Sequence, residues 1–474
     1  MGNSIVTCGI DYGTTNTSVA IVDEKGKEHV LDLDEDNDPS TSLPSLVYIG
    51  SDGAIFTGRK AANIFIERNV GREVILKSEE TGIEVSVISR GEPDKSEFYN
   101  PNLTDPDLLE SISIRTQVDV NLPGRLFQSL KTQLKYVNFK GTDVFGKHYQ
   151  IEELVSLILK RCKQKAEEAL KAPIDVAVVG RPVHFSMNEF EDEIAERRLR
   201  NAGLIAGFSD VVFFYEPVAA SVEYISTSET EEKIVMVVDI GGGTCDVCIM
   251  KFESADTVEE RLKRSQVLAV SGDTVAGDMI DKEIIRKRLF SYFGSNARYG
   301  PTRLPLPKNI LNVVLDWQNL YRLNTEETIN WLIAVETFSD QPEAIRALRM
   351  LIQKNCGYPL SLAVENAKKR LSFFEESMIQ FQYDELFIQE MINRSEFKTI
   401  IEDILEQIQE LLIEAEDKAG VKPEQIHLVL TTGGTCLIPA IQQMLKERYS
   451  PEKIVLRDTF TSVARGLAVV SRYL

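Results

Sequence analysis

The sequence predicts an α/β protein made of two similar lobes that face a cleft. Three observations carry this. A glycine-rich hairpin near the start, Gly9-Ile10-Asp11-Tyr12-Gly13-Thr14-Thr15-Asn16-Thr17, is matched by a second at Val237-Val238-Asp239-Ile240-Gly241-Gly242-Gly243-Thr244-Cys245-Asp246. Each runs from an apolar strand through Asp, Gly and Thr into another apolar strand (Val19–Val22; Val247–Met250). Between and after them strand and helix patterns alternate, and 474 residues is long enough for two large lobes.

The elements follow in order. Residues 1–31 read as two strands around the first Gly turn, and 43–58 as a further hairpin. From about 85 to 124 the chain is polar and carries Pro93, Pro101, Pro106 and Pro123, which predicts a long surface insertion. Leu154, Ile158, Leu159 and Cys162 have helical spacing, with Glu152 and Glu153 in the first turn, so 150–170 is a helix. A buried strand at Val176–Val179 ends at Gly180-Arg181-Pro182, and a charged helix covers roughly 188–206. Residues 211–226 read as strand, Glu216-Pro217, then helix from Val218. At Val235 the opening pattern restarts, which suggests a duplicated architecture. Residues 281–294 and about 307–378 are mostly helical, and 396–420 is one long amphipathic helix ending near Gly420. The final unit is strand His427–Leu430, turn Thr431–Thr435 and a helix from Pro439. The expected division is a first lobe over 1–233 with the insertion at about 85–124, and a second over 234–474 with a helical subdomain at about 281–378.

The residue types in the two hairpins suit a phosphate chain and its metal. Converging backbone N–H groups hold phosphate oxygens best, and glycine lets the backbone come close. Thr14, Thr15 and Thr244 add hydroxyl donors, while Asp11 and Asp239 sit at strand ends where carboxylates reach Mg²⁺ through water. One such hairpin is an ordinary tight turn. Two in the same hydrophobic frame point to a clamp. Neither is G-x-x-x-x-G-K-[ST] and neither is strand–GxGxxG–helix, which sets aside the P-loop and the dinucleotide fold. The Gly433-Gly434 turn between strand and helix is a further ligand-approach element.

Composition narrows the classes. A net charge of −20 and a pI near 4.9 argue against a nucleic-acid partner and give no support to an anionic membrane surface. Six cysteines (8, 162, 245, 248, 356, 436) make no disulfide framework, and Cys245-x-x-Cys248 lies within a strand, where residues three apart face opposite sides. Four histidines (29, 148, 184, 427) lack ligand spacing. No apolar run reaches about 18 residues, no signal peptide is visible, and the Met1-Gly2 start has Val6 where myristoylation wants Ser or Thr. Together with reduced thiols this gives a cytoplasmic expectation. The acidic run Asp32–Asp38 lacks the Gly and Glu of a calcium loop and reads as solvated.

At this point the residues carry a resemblance. Asp11-Tyr-Gly-Thr-Thr-Asn-Thr, Tyr215-Glu216-Pro217-Val218-Ala219-Ala220, Asp239-Ile-Gly-Gly-Gly-Thr-Cys-Asp246 and Leu430-Thr-Thr-Gly433-Gly434-Thr435 resemble the actin/hexokinase/heat-shock-ATPase superfamily. Gly272-Asp273-Thr274…Gly277-Asp278…Asp281 and Glu365-Asn366-Ala367-Lys368-Lys369-Arg370-Leu371-Ser372 are most similar to DnaK-type heat shock protein 70 ATPases, and Gly180-Arg181-Pro182-Val183-His184-Phe185 is similar to their short YegD-like branch. The resemblance implies a two-lobed actin-like ATPase fold, with duplicated ribonuclease-H-like subdomains around ATP or ADP and Mg²⁺. It implies that Gly13, Thr14, Thr15, Gly241, Gly242, Gly243 and Thr244 hold the phosphates. Asp11 and Asp239 would belong to the shell of the Mg²⁺, and Asp246 and Glu216 would order its waters and the attacking water. Glu365, Lys368, Lys369 and Ser372 would border the adenosine, with Gly433, Gly434 and Thr435 beneath it. It further implies a nucleotide-dependent switch with slow ATP hydrolysis and a protein client or co-chaperone as partner.

Two departures from the family pattern stand out. Leu437 occupies the place of the family's Arg beside the adenine. Gly58-Arg59-Lys60-Ala61-Ala62 is the nearest match to the family's Gly-Asp-Ala-Ala-Lys element, which puts Ala62 at the catalytic Lys position; Lys60 and Lys131 are the candidates to replace it, and neither is an obvious substitute. A missing cation at the γ-phosphate predicts slow hydrolysis. The reading also expects no peptide-binding domain. Two rival functions remain on the same fold: a small-molecule kinase, which needs a general-base Asp and an acceptor pocket, and an actin-like filament protein.

Overall fold

The computed structural model describes residues 6–23, 26–88, 109–227, 232–254, 257–456 and 461–473. Two sheets organise it, and they share one plan. In the first, strand Thr7–Tyr12 pairs antiparallel with Asn16–Val22 through the first Gly turn, and Asn16–Val22 pairs antiparallel with Glu28–Val30. On its other side Thr7–Tyr12 pairs parallel with Val176–Arg181, which pairs parallel with Asp210–Tyr215. In the second, Lys233–Ile240 pairs antiparallel with Cys245–Phe252 and that with Gln266–Asp273, while Leu428–Thr432 and Ile454–Leu456 add in parallel on the far side. The strand orders are therefore the same, hairpin for hairpin, as the repeated sequence pattern predicted.

The apolar faces follow from the strand sequences. Near-continuous Val, Ile and Cys runs bury both faces of the central strands. One face of the first sheet packs on helices Ile151–Leu170 and Glu189–Ile205, through Leu154, Ile158, Leu199 and Val211. Both helices start on side-chain caps: Asn188 accepts from the Phe190 and Glu191 amides, and Gln150 forms a capping box with Glu153. One face of the second sheet packs on the helical region around Leu332, Leu348 and Val364. The remaining faces share a layer that joins the halves: Val178, Val218 and Ala219 with Val235, Val237 and Leu430. Cys245 and Cys248 fall in different apolar layers, on opposite faces of the sheet, and all six cysteines are free and buried.

Several expectations are modified. Helix Ser462–Val470 packs against strands Thr7–Tyr12 and Asn16–Val22, so the chain returns to the first sheet at its end, which the sequence reading did not anticipate. The 396–420 helix is two, Arg394–Ile400 and Glu402–Ala419, broken at Ile401. Preceding them is an antiparallel hairpin, Glu376–Tyr383 with Leu386–Asn393, that the helical reading missed. Its alternating pattern buries Ile379, Phe381, Ile388 and Ile392 into the second core. The insertion begins and ends as an antiparallel ribbon, Leu76–Ile88 with Leu109–Asp119. The Pro-rich stretch 89–108 lies outside the described residues.

Candidate functional site

The two Gly turns meet. An added Cβ at Gly242 would run into the Thr15 hydroxyl, and one at Gly243 would lie 2.8 Å from Thr14 Cγ2. Glycine is needed there because the opposite turn occupies the space a side chain would take. Each turn is closed by its own backbone bond, Gly13 N–H to Asn16 O at 3.0 Å and Gly241 N–H to Thr244 O at 3.0 Å. Neighbouring elements brace them. The Ser45 hydroxyl donates to Gly13 O at 2.9 Å, the Thr435 hydroxyl to Gly241 O at 2.8 Å, and the Asp278 amide to Gly242 O at 2.7 Å.

Around the turns lies a cavity of about 530 Å³. The residues expected to hold the nucleotide and its metal line it: Asp11, Gly13, Thr14, Thr15, Glu216, Asp239, Gly241–Thr244, Asp246, Glu365, Lys368, Lys369, Ser372 and Gly433–Thr435. Gly433 bends the strand-to-helix turn at φ +81°, where an added Cβ would collide with Ile240 O and lie 2.7 Å from Asp239 Oδ1. Leu437 lines the cavity as well.

Four carboxylates converge at one end. Asp239 and Asp246 face each other across the second hairpin, Asp11 lies on the first, and Glu216 heads helix Glu216–Thr227. Burial, then the Glu216 charge, pushes the Asp11 carboxyl up to about 7 against the pull of Lys131. Burial and Glu216 likewise raise Asp246 to about 6, and burial with Glu216, Asp246 and Asp11 raises Asp239 well above its usual range. Such a cluster favours a cation. Among the described residues no group of three or more acidic, His or Cys side chains has direct metal-ligating geometry. The cluster suits a cation that keeps its water shell.

At the other end two cations are tied down. Lys368 Nζ donates to Asp281 Oδ2 at 2.7 Å and Gly277 O at 3.0 Å, and Lys369 pairs with Glu365 at 2.7 Å. The helix Gly357–Leu371 thus presents alternating charges at the cavity, with Lys368 spanning to the turn after the second hairpin.

Sequence reasoning underrated Lys131 and missed the aromatic side of the cavity. Lys131 Nζ donates to Glu216 Oε1 at 2.7 Å and lines the cleft, while Lys60 lies over the Phe56 ring outside the lining. Ala62 is buried in the core of helix Gly58–Asn69. Trp317, Tyr358 and Phe373 line the far wall, and Arg59 reaches in from the first lobe. No local pattern marks these positions; only the left-handed backbone at Ser129 signals an unusual turn before Lys131. Ser18 Oγ and Gln128 Oε1, both lining the cavity, are buried without a hydrogen-bond partner, which a polar ligand would satisfy.

Comparison with known proteins decides the family. The model of the Hsp70 protein family matches residues 123–298 and 346–474, more than half of the chain. The chain belongs to the Hsp70 family. That family is one of actin-like ATPases, which agrees with the duplicated sheets and the α/β class expected above. Among curated Hsp70-family relatives, the chaperone protein DnaK of Thermosipho melanesiensis is 28% identical over 402 residues, covering 81% of this chain and 56% of the relative. The DnaK of Thermus thermophilus is 26% identical over 478 residues, 97% of this chain and 60% of the relative. The DnaK of Metamycoplasma hominis is 25% identical over 391 residues, 81% and 56%. The chain spans less than two thirds of the length of these relatives. No described helix is long and apolar enough to cross a membrane.

Proposed function

We propose that this chain binds ATP and ADP with Mg²⁺ between its two Gly hairpins and acts as a chaperone-like, nucleotide-dependent switch. The observation that carries this is the contact of the two Asp/Gly/Thr turns over one shared cavity. Gly13, Thr14, Thr15, Gly241, Gly242, Gly243 and Thr244 hold the phosphates with backbone amides and hydroxyls. Asp11 and Asp239 hold Mg²⁺ through its waters, and that ion supplies charge neutralisation to the phosphates. Asp246 and Glu216 order water near the terminal phosphate. Glu365, Lys369 and Ser372 border the adenosine above the Gly433-Gly434-Thr435 turn, and Lys368 fixes the wall by its bond to Asp281. The base meets Leu437 rather than an arginine.

The relatives' name, chaperone protein, supports a chaperone role. The same reading includes protein clients or co-chaperones, a cytoplasmic location, the short YegD-like branch and lobes divided near residue 234. ATP closes the halves on each other and release of ADP reopens them. Thermal unfolding tests the core of the reading. Mg·ADP at about 100 times its Kd adds about 2.7 kcal/mol if it binds only the native state. An unchanged Tm at millimolar Mg·ADP and Mg·ATP overturns it.

A further inference from the structure

We propose that Lys131 is the cation that contacts the terminal phosphate and stabilises its charge during hydrolysis, delivered by a left-handed turn and held by Glu216. This rests on the nucleotide reading above and names the residue that drives the chemistry at that site. Three independent observations carry it.

The first is place. Lys131 lines the cavity at its carboxylate-rich end, its side chain mostly buried, with its ammonium on Glu216 Oε1 at 2.7 Å. Burial works against its charge, but Glu216, Asp11 and Asp246 outweigh that and keep it protonated. An ammonium has three donors, and the bond to Glu216 takes one. The other two remain for a ligand oxygen.

The second is the alternatives. Of the other cations on the cavity wall, Lys368 bonds Asp281 and Gly277 O, Lys369 pairs with Glu365, and Arg59 bonds Asn37, and none of these partners belongs to the carboxylate cluster of Asp11, Glu216, Asp239 and Asp246. Lys60 is stacked on Phe56 away from the cavity. Among the described cations of the wall, Lys131 is the one bonded to that carboxylate cluster, through Glu216.

The third is the backbone. Lys131 lies one residue into the short helix Leu130–Gln133, and the residue before that helix, Ser129, sits at φ 56°, ψ 35°. A non-glycine residue is strained in this left-handed region and persists there where the surrounding structure holds it. The turn carries the chain out of strand Gly124–Phe127 so that Leu130 and Leu134 enter the first core while Lys131 faces the cleft. The adjacent Gln128 Oε1 is buried without a partner and lines the same wall.

In the step itself, the oxygen of a water bonds to the γ-phosphorus as the bond to the β,γ-bridging oxygen breaks. The electron pair of that bond leaves on ADP. One water proton stays on the phosphate and the other goes to solvent. Lys131 keeps its proton and acts by charge, as phosphoryl transfer requires of a positioned cation.

The test uses the full chain with Lys131→Met, which keeps volume, and Lys131→Arg, which keeps charge. Single-turnover hydrolysis is expected to fall about 100-fold or more in Lys131→Met and to recover in part in Lys131→Arg. Affinity for a non-hydrolysable ATP analogue is expected to fall about tenfold in Lys131→Met, whereas Mg·ADP affinity stays within about threefold. That ATP-over-ADP discrimination reads the contact even where turnover is slow. Glu216→Gln is the control for a purely structural pair, since a pin that only orders Glu216 would weaken ADP and ATP alike. Equal loss of ADP and ATP affinity in Lys131→Met, or unchanged hydrolysis and affinities in a folded variant, overturns the proposal. A wild-type chain whose Tm does not respond to Mg·ADP overturns the nucleotide reading and this proposal with it.

Discussion

Tyr358 of the second lobe stands edge-on to Phe65 of the first, with ring centroids 5.5 Å apart and planes at 89°. Trp317 completes the cluster, 5.6 Å from Phe65 and 4.8 Å from Tyr358. Tyr358 is buried in the small core that belongs to helix Gly58–Asn69 and the sheet beneath it, so a side chain from one lobe is part of the other lobe's packing. Two hydrogen bonds flank the cluster: the Gly71 amide to Lys354 O at 2.8 Å, and Asn355 Nδ2 to Asn69 O at 3.3 Å. Since Trp317 and Tyr358 also line the cavity, this bridge roofs it.

Removing the roof is expected to speed ligand exchange. Tyr358→Ala takes a large side chain out of a buried site, at a cost of about 3–5 kcal/mol, and loosens the lobes where they touch. Release of a fluorescent ADP, chased with unlabelled ADP, is expected to quicken about tenfold or more. Trp317 emission is expected to shift to the red as its ring becomes wetter. Wild-type release rates in a folded Tyr358→Ala protein would show that the roof does not gate the cavity.

The carboxylate cluster makes a signed pH prediction. Asp11 and Asp246 are held at about 7 and about 6, above their ordinary 3.8. The ligand-free folded form therefore binds protons that the unfolded chain has released. The stability from these groups is fully present below about pH 4 and is lost as pH rises through 6 to 7. Cation binding needs the ionised forms, so Mg·ADP is expected to bind more tightly at pH 8 than at pH 6 and to release protons. Titration calorimetry in two buffers of different ionisation heat measures that release; a proton uptake would reverse the assignment.

Asp239→Asn separates charge from shape at the same place. The Asp239 carboxyl is raised by burial and by Glu216, Asp246 and Asp11, so a neutral side chain of equal size relieves repulsion. The ligand-free Tm at pH 8 is expected to rise, while the stabilisation gained from Mg·ADP over ADP alone shrinks. A variant that gains as much from Mg²⁺ as the wild type contradicts a role for Asp239 in the metal shell.

Two glycines with positive φ give a paired test of the Gly433 turn. Gly433 sits at φ +81° and an added Cβ collides with Ile240 O, whereas Gly420 sits at φ +65° in open space. Gly420→Ala is expected to cost about 1 kcal/mol and leave nucleotide binding intact. Gly433→Ala bears the same backbone strain plus the collision, so it is expected to displace the turn and lower ADP affinity at least tenfold. Calorimetric affinities of the two variants decide, and equal affinities would remove Gly433 from the binding site.

Legibility in the sequence followed the range of the forces. The helix break at Ile401 was missed, and the hairpin Glu376–Tyr383 with Leu386–Asn393 fell largely in the gap between the two helical readings, although Ile379, Phe381, Ile388 and Ile392 share its buried face. The helical signal on both sides, running through Gly357–Leu371 and Glu402–Ala419, hid a period that only eight residues carry on each strand. The return of Ser462–Val470 to the first sheet was invisible, since an apolar helix does not say which sheet it covers.

The sequence by itself determined the two hairpins, their carboxylates and the glycines that let the turns approach, because strand periodicity and turn chemistry act over a few residues. Their repetition was enough to predict two matching sheets whose turns would face each other. Only the tertiary structure decided that Lys131, remote in sequence from both hairpins, stands on Glu216, and that Tyr358 closes over Phe65. Those relationships depend on how the two sheets share their apolar layer and on a left-handed turn at Ser129, and no local preference encodes the docking of one half on the other.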